Sequence, residues 1–448
     1  MKLLRGDEAV GTASELTVAA RSLELDALDH DALVASIEGP SVVWRGQDSA
    51  IATTGATATI TAAGPDRFGT VRETATALFE RLRSQSTPRA ARPRLFGGFA
   101  FHDGAEHRRS SVWDGFPDAW FVLPAAQVVR EGDRTWLTVT ATGPDAGRTA
   151  GERLDTWRER LADLPAHAGT DPPGIVDESR TPSRTEWREQ IEDAVADIET
   201  GDLRKVVLAQ SLSADLSVEL SIPDALARLD DRYPDCYRFA IAPGEHRERT
   251  FLGATPETLV SLSGRTVETE ALAGSTGRGE TPDEDDWLAE ELLGSEKDNH
   301  EHDLVVEAIR EQLDSVAESV RTGGRTVRQL ATVQHLRTPV SAELDDDSHV
   351  LDLVEALHPT PAVGGLPPDA ALETIKATEA FDRGWYAAPV GWFDAAGDGT
   401  FAVAIRSALA RGRTASLFAG AGIVPDSDPD REWDEVQLKY RPMLDTLA

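Results

Sequence analysis

Up to about residue 162 the chain alternates short apolar runs with turn residues. SVVWRGQDSAIATTG (41–55), ATATITAAG (56–64), RLFGGFAFHDG (94–104), AWFVLPAAQVV (119–129) and TWLTVTAT (135–142) read as strands, and the spacing near 69–84 and 150–162 as helices. The pattern predicts an α+β region built on antiparallel strands over residues 1–165. From 163 to 183 the segment DLPAHAGTDPPGIVDESRTPS is rich in Pro, Gly and polar residues and has no apolar period. A surface connection is expected there, with the linker proper at 166–183. A third region then runs over 184–448.

That region opens on a helix. Ser183 and Glu186 have capping-box spacing, Trp187, Ile191, Ala194, Val195 and Ile198 form one apolar face, and Gly201 ends it. LRKVVLAQSLSADLSV (203–218) follows as a strand. No repeat of 20 to 50 residues recurs along the chain, which argues against solenoids and propellers.

Two later helices carry acids at informative positions. Ser295 caps SEKDNHEHDLVVEAIREQL, and Glu301 lies three, four and seven residues before Leu304, Val305 and Ala308. Its carboxylate therefore projects on the apolar side, where it needs a cation or hydrogen-bond partners. In SDPDREWDEVQLKYRPMLDTL, Asp428 and Pro429 are cap and first residue, and Glu432, Glu435 and Lys439 share one face. On spacing alone, the usual fate of such a face is to lie in solvent. His300 and His302 point in different directions on a helix and no H-E-x-x-H is present, so zinc finds no support. The glycine clusters at 251–262, 268–280, 358–368 and 417–427 match neither dinucleotide nor P-loop spacing.

Composition narrows the partners. Among 448 residues, 45 are Lys or Arg and 78 Asp or Glu, a net charge of −33. So acidic a field disfavours nucleic acid and anionic membrane surfaces. No run approaches the roughly 18 to 20 apolar residues of a membrane helix, and the N-terminus lacks a signal-like stretch, so a cytoplasmic protein is expected. The single cysteine, Cys236, cannot form an intrachain disulfide or a Cys-based zinc site, and its simplest role is a small half-buried hydrophobe. Only five of the basic residues are lysine: Lys2, Lys205, Lys297, Lys376 and Lys439. An acidic, Lys-poor chain suits a salt-rich, halophilic cytosol, where the Debye length falls to about 3 Å near molar salt. Arg keeps its proton in a protein and Lys can lose it, so each surviving lysine merits inspection.

Nine blocks, in order, resemble the chorismate-utilising enzymes: RKVVLAQ (204–210), FLGATPETL (251–259), EALAGSTGRG (270–279), SEKDNHEH (295–302), VQHLRTPV (333–340), LHPTPAVGGLP (357–367), WYAAPVGW (385–392), FAVAIRSA (401–408) and AGAGIVPDSDPDREWDEVQLK (419–439). The resemblance implies two large antiparallel sheets packed face to face and flanked by helices (α/β/β/α), with 184–448 as catalytic domain and 1–165 contributing to the same sheets. It implies a Mg²⁺ held by Glu301 and Glu435 on the ring carboxylate of chorismate. It places Arg406 and Tyr386 on the enolpyruvyl carboxylate, with Lys439 and the backbone of Gly274 and Gly420 as further substrate contacts. His335 matches a substrate-proximal histidine, although a core histidine satisfied by backbone reads equally well.

Three positions separate the family's reactions. Lys205 matches the isochorismate synthase base that takes a proton from water attacking ring C2, and Glu257 the acid that protonates the departing C4 hydroxyl. Ala273 stands where aminodeoxychorismate synthases carry a nucleophilic lysine. Ala362 stands where anthranilate and aminodeoxychorismate synthases commonly carry threonine. Ala388 replaces a usual glycine, which loosens the placement of Tyr386, and Ser275 a frequent threonine. The resemblance thus implies a Mg²⁺-dependent isochorismate synthase serving menaquinone synthesis, with no obligatory protein partner. Salicylate synthase and anthranilate synthase component I are the alternatives. A non-catalytic acidic binding protein of the same fold should have lost at least one of Lys205, Glu257, Glu301, Arg406 and Glu435, and all are present.

Overall fold

The computed structural model describes residues 17–448 apart from 27, 48, 85–86, 104–111, 245–247 and 345–347. Lys2 lies outside the described residues.

Two antiparallel arms diverge from one long strand, Ala119–Glu131. One arm runs from Val18–Leu25 through Arg134–Thr142, Ala119–Glu131, Ser49–Ala62 and Ser41–Arg45. It continues through Tyr237–Ala242, Thr250–Thr255, Ser407–Arg411, Thr414–Ile423 and Lys205–Leu216 to Ile175–Thr181. The other arm leaves Ala119–Glu131 through Arg94–Phe99, Pro389–Asp394, Gly399–Val403, Thr258–Ser263 and Thr266–Gly277 to Val333–Glu343. Because Ala119–Glu131 bonds to strands of both arms, the two sheets are hydrogen-bonded into one network. One apolar core joins them. Within it Phe121 meets Phe99, Phe393 and Phe401 at centroid distances of 5.1, 5.4 and 6.2 Å.

Several strands are covered on both faces. Arg94–Phe99, Thr250–Thr255 and Pro389–Asp394 are buried throughout. Helices form where capping and period coincide. Ser183 and Glu186 make the reciprocal capping box of helix Arg184–Thr200, which buries Trp187, Ile191, Ala194 and Ile198. The 163–183 segment differs from expectation, since Ile175–Thr181 is a strand paired with Lys205–Leu216. It is an edge strand with its side chains mostly in solvent, so it has no apolar face to betray it. Its Asp177, Glu178 and Arg180 are typical of a protected edge.

The chain crosses between arms twice close together. Thr255–Thr258 passes from the first arm to the second, and Val403–Ser407 passes back. Helix Glu296–Asp314 packs on strand Thr266–Gly277, and helix Pro429–Leu447 packs on Thr414–Ile423. A crossing thus lies beneath one helix from each arm.

Candidate active site

A cavity of about 630 Å³ opens at these crossings. Lys205, Glu257, Gly274, Glu301, His335, Ala362, Tyr386, Arg406, Gly420, Glu435 and Lys439 all line it. They come from both arms, both crossings and both helices. The charged face of the last helix is therefore turned into the cavity rather than to solvent, with Glu432 only 2% exposed.

Lys205 starts its strand, is 1% exposed, and donates from Nζ to Glu301 Oε1 at 2.8 Å. Glu301 reaches it because the neighbouring strand carries glycine at 422. A Cβ there would sit 2.8 Å from Glu301 Oε1 and 3.1 Å from Lys205 Cε, so alanine would push the pair apart. Gly274 is likewise required: its φ is +74° and Asp298 Cβ lies 3.1 Å from where its own Cβ would be.

Glu257 sits in the first crossing, buried, with Thr360 Oγ1 donating to Oε1 at 3.4 Å. Burial pushes its carboxyl up to about 7 and the Glu270 carboxylate adds to this, against the opposing pull of Thr360, Lys205 and Arg406. A group so placed carries its proton through mildly acidic pH up to neutrality, as a general acid must. Glu270 itself is held from behind by Arg328 Nη1 at 2.6 Å and by Arg337; that Nη1 also donates to Pro256 O, fixing the turn before Glu257.

On the other side of the cavity Asp298, Glu301, Glu432 and Glu435 gather. Burial raises Asp298, with Glu301 and Glu435 adding to it; burial and then Glu435 push Glu432 up to about 7. Three lysines answer them. Lys205 holds Glu301 at 2.8 Å, Lys439 holds Glu435 at 2.7 Å and Lys297 lies 3.5 Å from Glu432. Of the four described lysines, only Lys376 is elsewhere. Such crowding of hard oxygen donors fits a divalent cation that keeps several waters. Among the described residues no group of three or more His, Cys, Asp and Glu is arranged to close around a metal by itself.

The third wall presents a buried guanidinium to the cavity. Arg406 is 5% exposed, yet its Nη1 has no hydrogen-bond partner among the described residues. Its Nη2 lies 3.4 Å from His335 Nε2, and Ser275 Oγ lies 2.9 Å from His335 Nδ1. A guanidinium can only donate, so Nε2 accepts and Nδ1 bears the hydrogen. Burial first, then Arg406 and Lys439, push His335 down to about 3, so it is neutral. This histidine is thus both at the cavity and satisfied by neighbours. Ala387 at φ +60° and Arg406 at φ +52° are the left-handed non-glycine residues among those described. Each such residue is strained by roughly 1–3 kcal/mol, and here the strain aims Tyr386 and Arg406 into the cavity. Ala388 is not in that region, so the missing glycine at 388 leaves Tyr386 in place. Lys439 Nζ donates to Gly420 O at 2.9 Å.

Ala273 lines the cavity and brings no nucleophile. His302 is fully buried, with Nδ1 3.2 Å from Ala273 O and Nε2 2.8 Å from Thr338 Oγ1, so it braces strands. Cys236 is buried more completely than expected, and burial pushes its thiol up to about 11. Sequence reasoning missed Lys297, Asp298 and Thr360 as site residues. The scarcity of lysine pointed to Lys297, while Thr360 gave no signal outside its glycine-rich turn.

A family model described as chorismate binding enzyme matches residues 8–448. Isochorismate synthase MenF of Bacillus subtilis is 37% identical over 380 residues, covering 84% of this chain and 79% of that one. The salicylate biosynthesis isochorismate synthase of Pseudomonas aeruginosa is 36% identical over 458 residues, covering 99% and 94%. Among solved structures, MenF, the menaquinone-specific isochorismate synthase of Escherichia coli, superimposes with a TM-score of 0.81 at 27% identity over 97% of both chains. Anthranilate synthase component I of Streptococcus pneumoniae shares the fold, with a TM-score of 0.72 at 22% identity over 98% of this chain and 95% of that one.

Proposed function

The chain belongs to the chorismate-binding enzymes, and from that premise we propose that it is an isochorismate synthase that converts chorismate to isochorismate with Mg²⁺. The observation that carries this reading is a buried amine, Lys205, and a carboxyl raised to about 7, Glu257, lining one cavity that lacks a nucleophile at position 273.

Lys205 takes a proton from a water as its oxygen bonds to ring C2. The ring double bonds shift, the C4–O bond breaks, and Glu257 gives its proton to the departing hydroxyl, so one water enters and one leaves. Hydroxide is too poor a leaving group without that acid. Arg406, whose buried Nη1 has no partner among the described residues, and Tyr386 hold the enolpyruvyl carboxylate; bidentate contact suits the guanidinium. Lys439 and the backbone at Gly274 and Gly420 line the remainder, with neutral His335 keeping the Arg406 fork oriented.

Glu301 and Glu435 would hold the metal, with Glu432 and Asp298 beside them. When bound, Mg²⁺ supplies the positive charge that fixes and neutralises the ring carboxylate. Lys205 Nζ donates to Glu301 Oε1 at 2.8 Å, so the base and the metal would meet at one carboxylate. The catalytic groups all lie within 184–448, and in this reading residues 1–165 complete the sheets that carry them.

The similarity to menaquinone-specific MenF supports a place in menaquinone synthesis. None of the described helices is long and apolar enough to cross a membrane. The test is product chromatography after incubation with chorismate and Mg²⁺. Isochorismate alone is expected. Salicylate with pyruvate would make the enzyme a salicylate synthase, and ammonia-dependent anthranilate an anthranilate synthase.

A further inference from the structure

The strand Lys205–Leu216 has a gap along one edge. Leu366 and Gly365 pair with Lys205 and Val206, and Thr181 pairs with Ser211. No described strand covers that edge between them. A buried backbone group left open costs about 1–3 kcal/mol.

The gap is closed by a turn and by two side chains. Val207 N donates to Gly364 O at 2.8 Å. Arg383 Nη2 donates to Val207 O at 2.7 Å, and Glu379 Oε1 accepts from Ala209 N at 2.9 Å. Arg383 Nε donates to Glu379 Oε2 at 2.8 Å, and its Nη1 donates to Val363 O at 2.8 Å. Both side chains are buried, Arg383 completely. Val363 belongs to the turn in which Thr360 O accepts from Val363 N and Gly364 N, and whose Thr360 hydroxyl donates to Glu257. One guanidinium therefore grips the strand that begins with Lys205 and the turn that touches Glu257.

We propose that the buried Glu379–Arg383 pair is a positioning device, holding the Lys205 strand and the 360–364 turn in register so that amine and carboxyl face each other across the substrate ring. Buried ion pairs are weak evidence for stability, because apolar residues of similar volume often serve as well. What apolar residues cannot do is bond directionally to Val207, Ala209 and Val363 at once. Neither residue lines the cavity, so neither contacts substrate. This inference rests on the base and acid roles given above.

The test is Arg383→Lys in the full-length enzyme. Lysine keeps the charge opposite Glu379 and loses the planar fork. Since a displacement of about 1 Å can cost about 10²-fold in rate, kcat is expected to fall about 10- to 100-fold. KM for chorismate should stay within about threefold and the melting temperature within a few degrees, a split that general loosening would not give. Should Arg383→Lys fail to fold, Glu379→Gln, which still accepts from Ala209, is expected to show the same split with a smaller drop. A folded variant with kcat within twofold of the parent, or with only KM altered, overturns the proposal. Lys205→Ala run alongside separates the failures: if it keeps turnover, the base assignment falls and takes this inference with it. If Lys205→Ala is inactive while both pair variants turn over normally, only the positioning role falls.

Discussion

Lys205 Nζ and Glu301 Oε1 lie 2.8 Å apart, so the amine assigned as base occupies the oxygen assigned to the metal. A divalent ion held by Glu301 would share that carboxylate with Lys205 Nζ or displace it. Lys205→Ala should therefore bind Mg²⁺ more tightly than the parent in calorimetric titrations without substrate, while its turnover falls about 10²- to 10⁴-fold. Weaker Mg²⁺ binding in this variant would show that the two do not compete.

Glu301→Ala should act differently. It removes a ligand rather than a competitor, so Mg²⁺ affinity and chorismate affinity should fall together, and chelation should abolish what activity is left. Retained Mg²⁺ affinity would remove Glu301 from the metal site.

The raised carboxyl of Glu257 sets a pH dependence. A general acid works only with its proton on, and burial, with Glu270 behind it, raises Glu257 to about 7. Its contribution is thus full below that pH and lost as pH rises through about 7. Glu257→Gln should lower turnover about 10²- to 10⁴-fold and erase that limb from the pH–rate profile. A limb that survives unchanged belongs to another group.

Arg406 has a buried Nη1 with no partner among the described residues. Arg406→Lys should raise KM for chorismate about tenfold or more, since a single ammonium cannot replace a bidentate fork. An unaltered KM would place the enolpyruvyl carboxylate elsewhere.

A charge of −33 should make folding salt-dependent through self-repulsion. The melting temperature should climb steeply as KCl rises from about 0.1 M to molar concentrations, where screening shrinks to about 3 Å. A curve indifferent to salt would contradict adaptation to a salt-rich cytosol.

What the sequence revealed, it revealed through local periodicity. Glu301 was legible because helical spacing ties a carboxylate to the apolar residues beside it, and the capped helices Glu296–Asp314 and Pro429–Leu447 begin where Ser295 and Asp428 place them. Glu432 and Glu435 were ambiguous, because a charged face looks alike whether it meets water or a polar cavity. The strand Ile175–Thr181 was hidden by its exposed edge position. The bond from Thr360 to Glu257 and the grip of Arg383 on Val207 span more than 100 residues, so only the folded chain shows them. The joining of both sheets through Ala119–Glu131 was illegible for the same reason.

Short incubation of chorismate with the Mg²⁺-loaded enzyme in ¹⁸O-enriched water, followed by mass spectrometry of the product, tests water delivery by Lys205 and hydroxyl loss to Glu257 together. One labelled oxygen at C2 of isochorismate, absent with Lys205→Ala, is the predicted result. Unlabelled isochorismate from the parent enzyme would mean that the original hydroxyl migrates, and would contradict the mechanism.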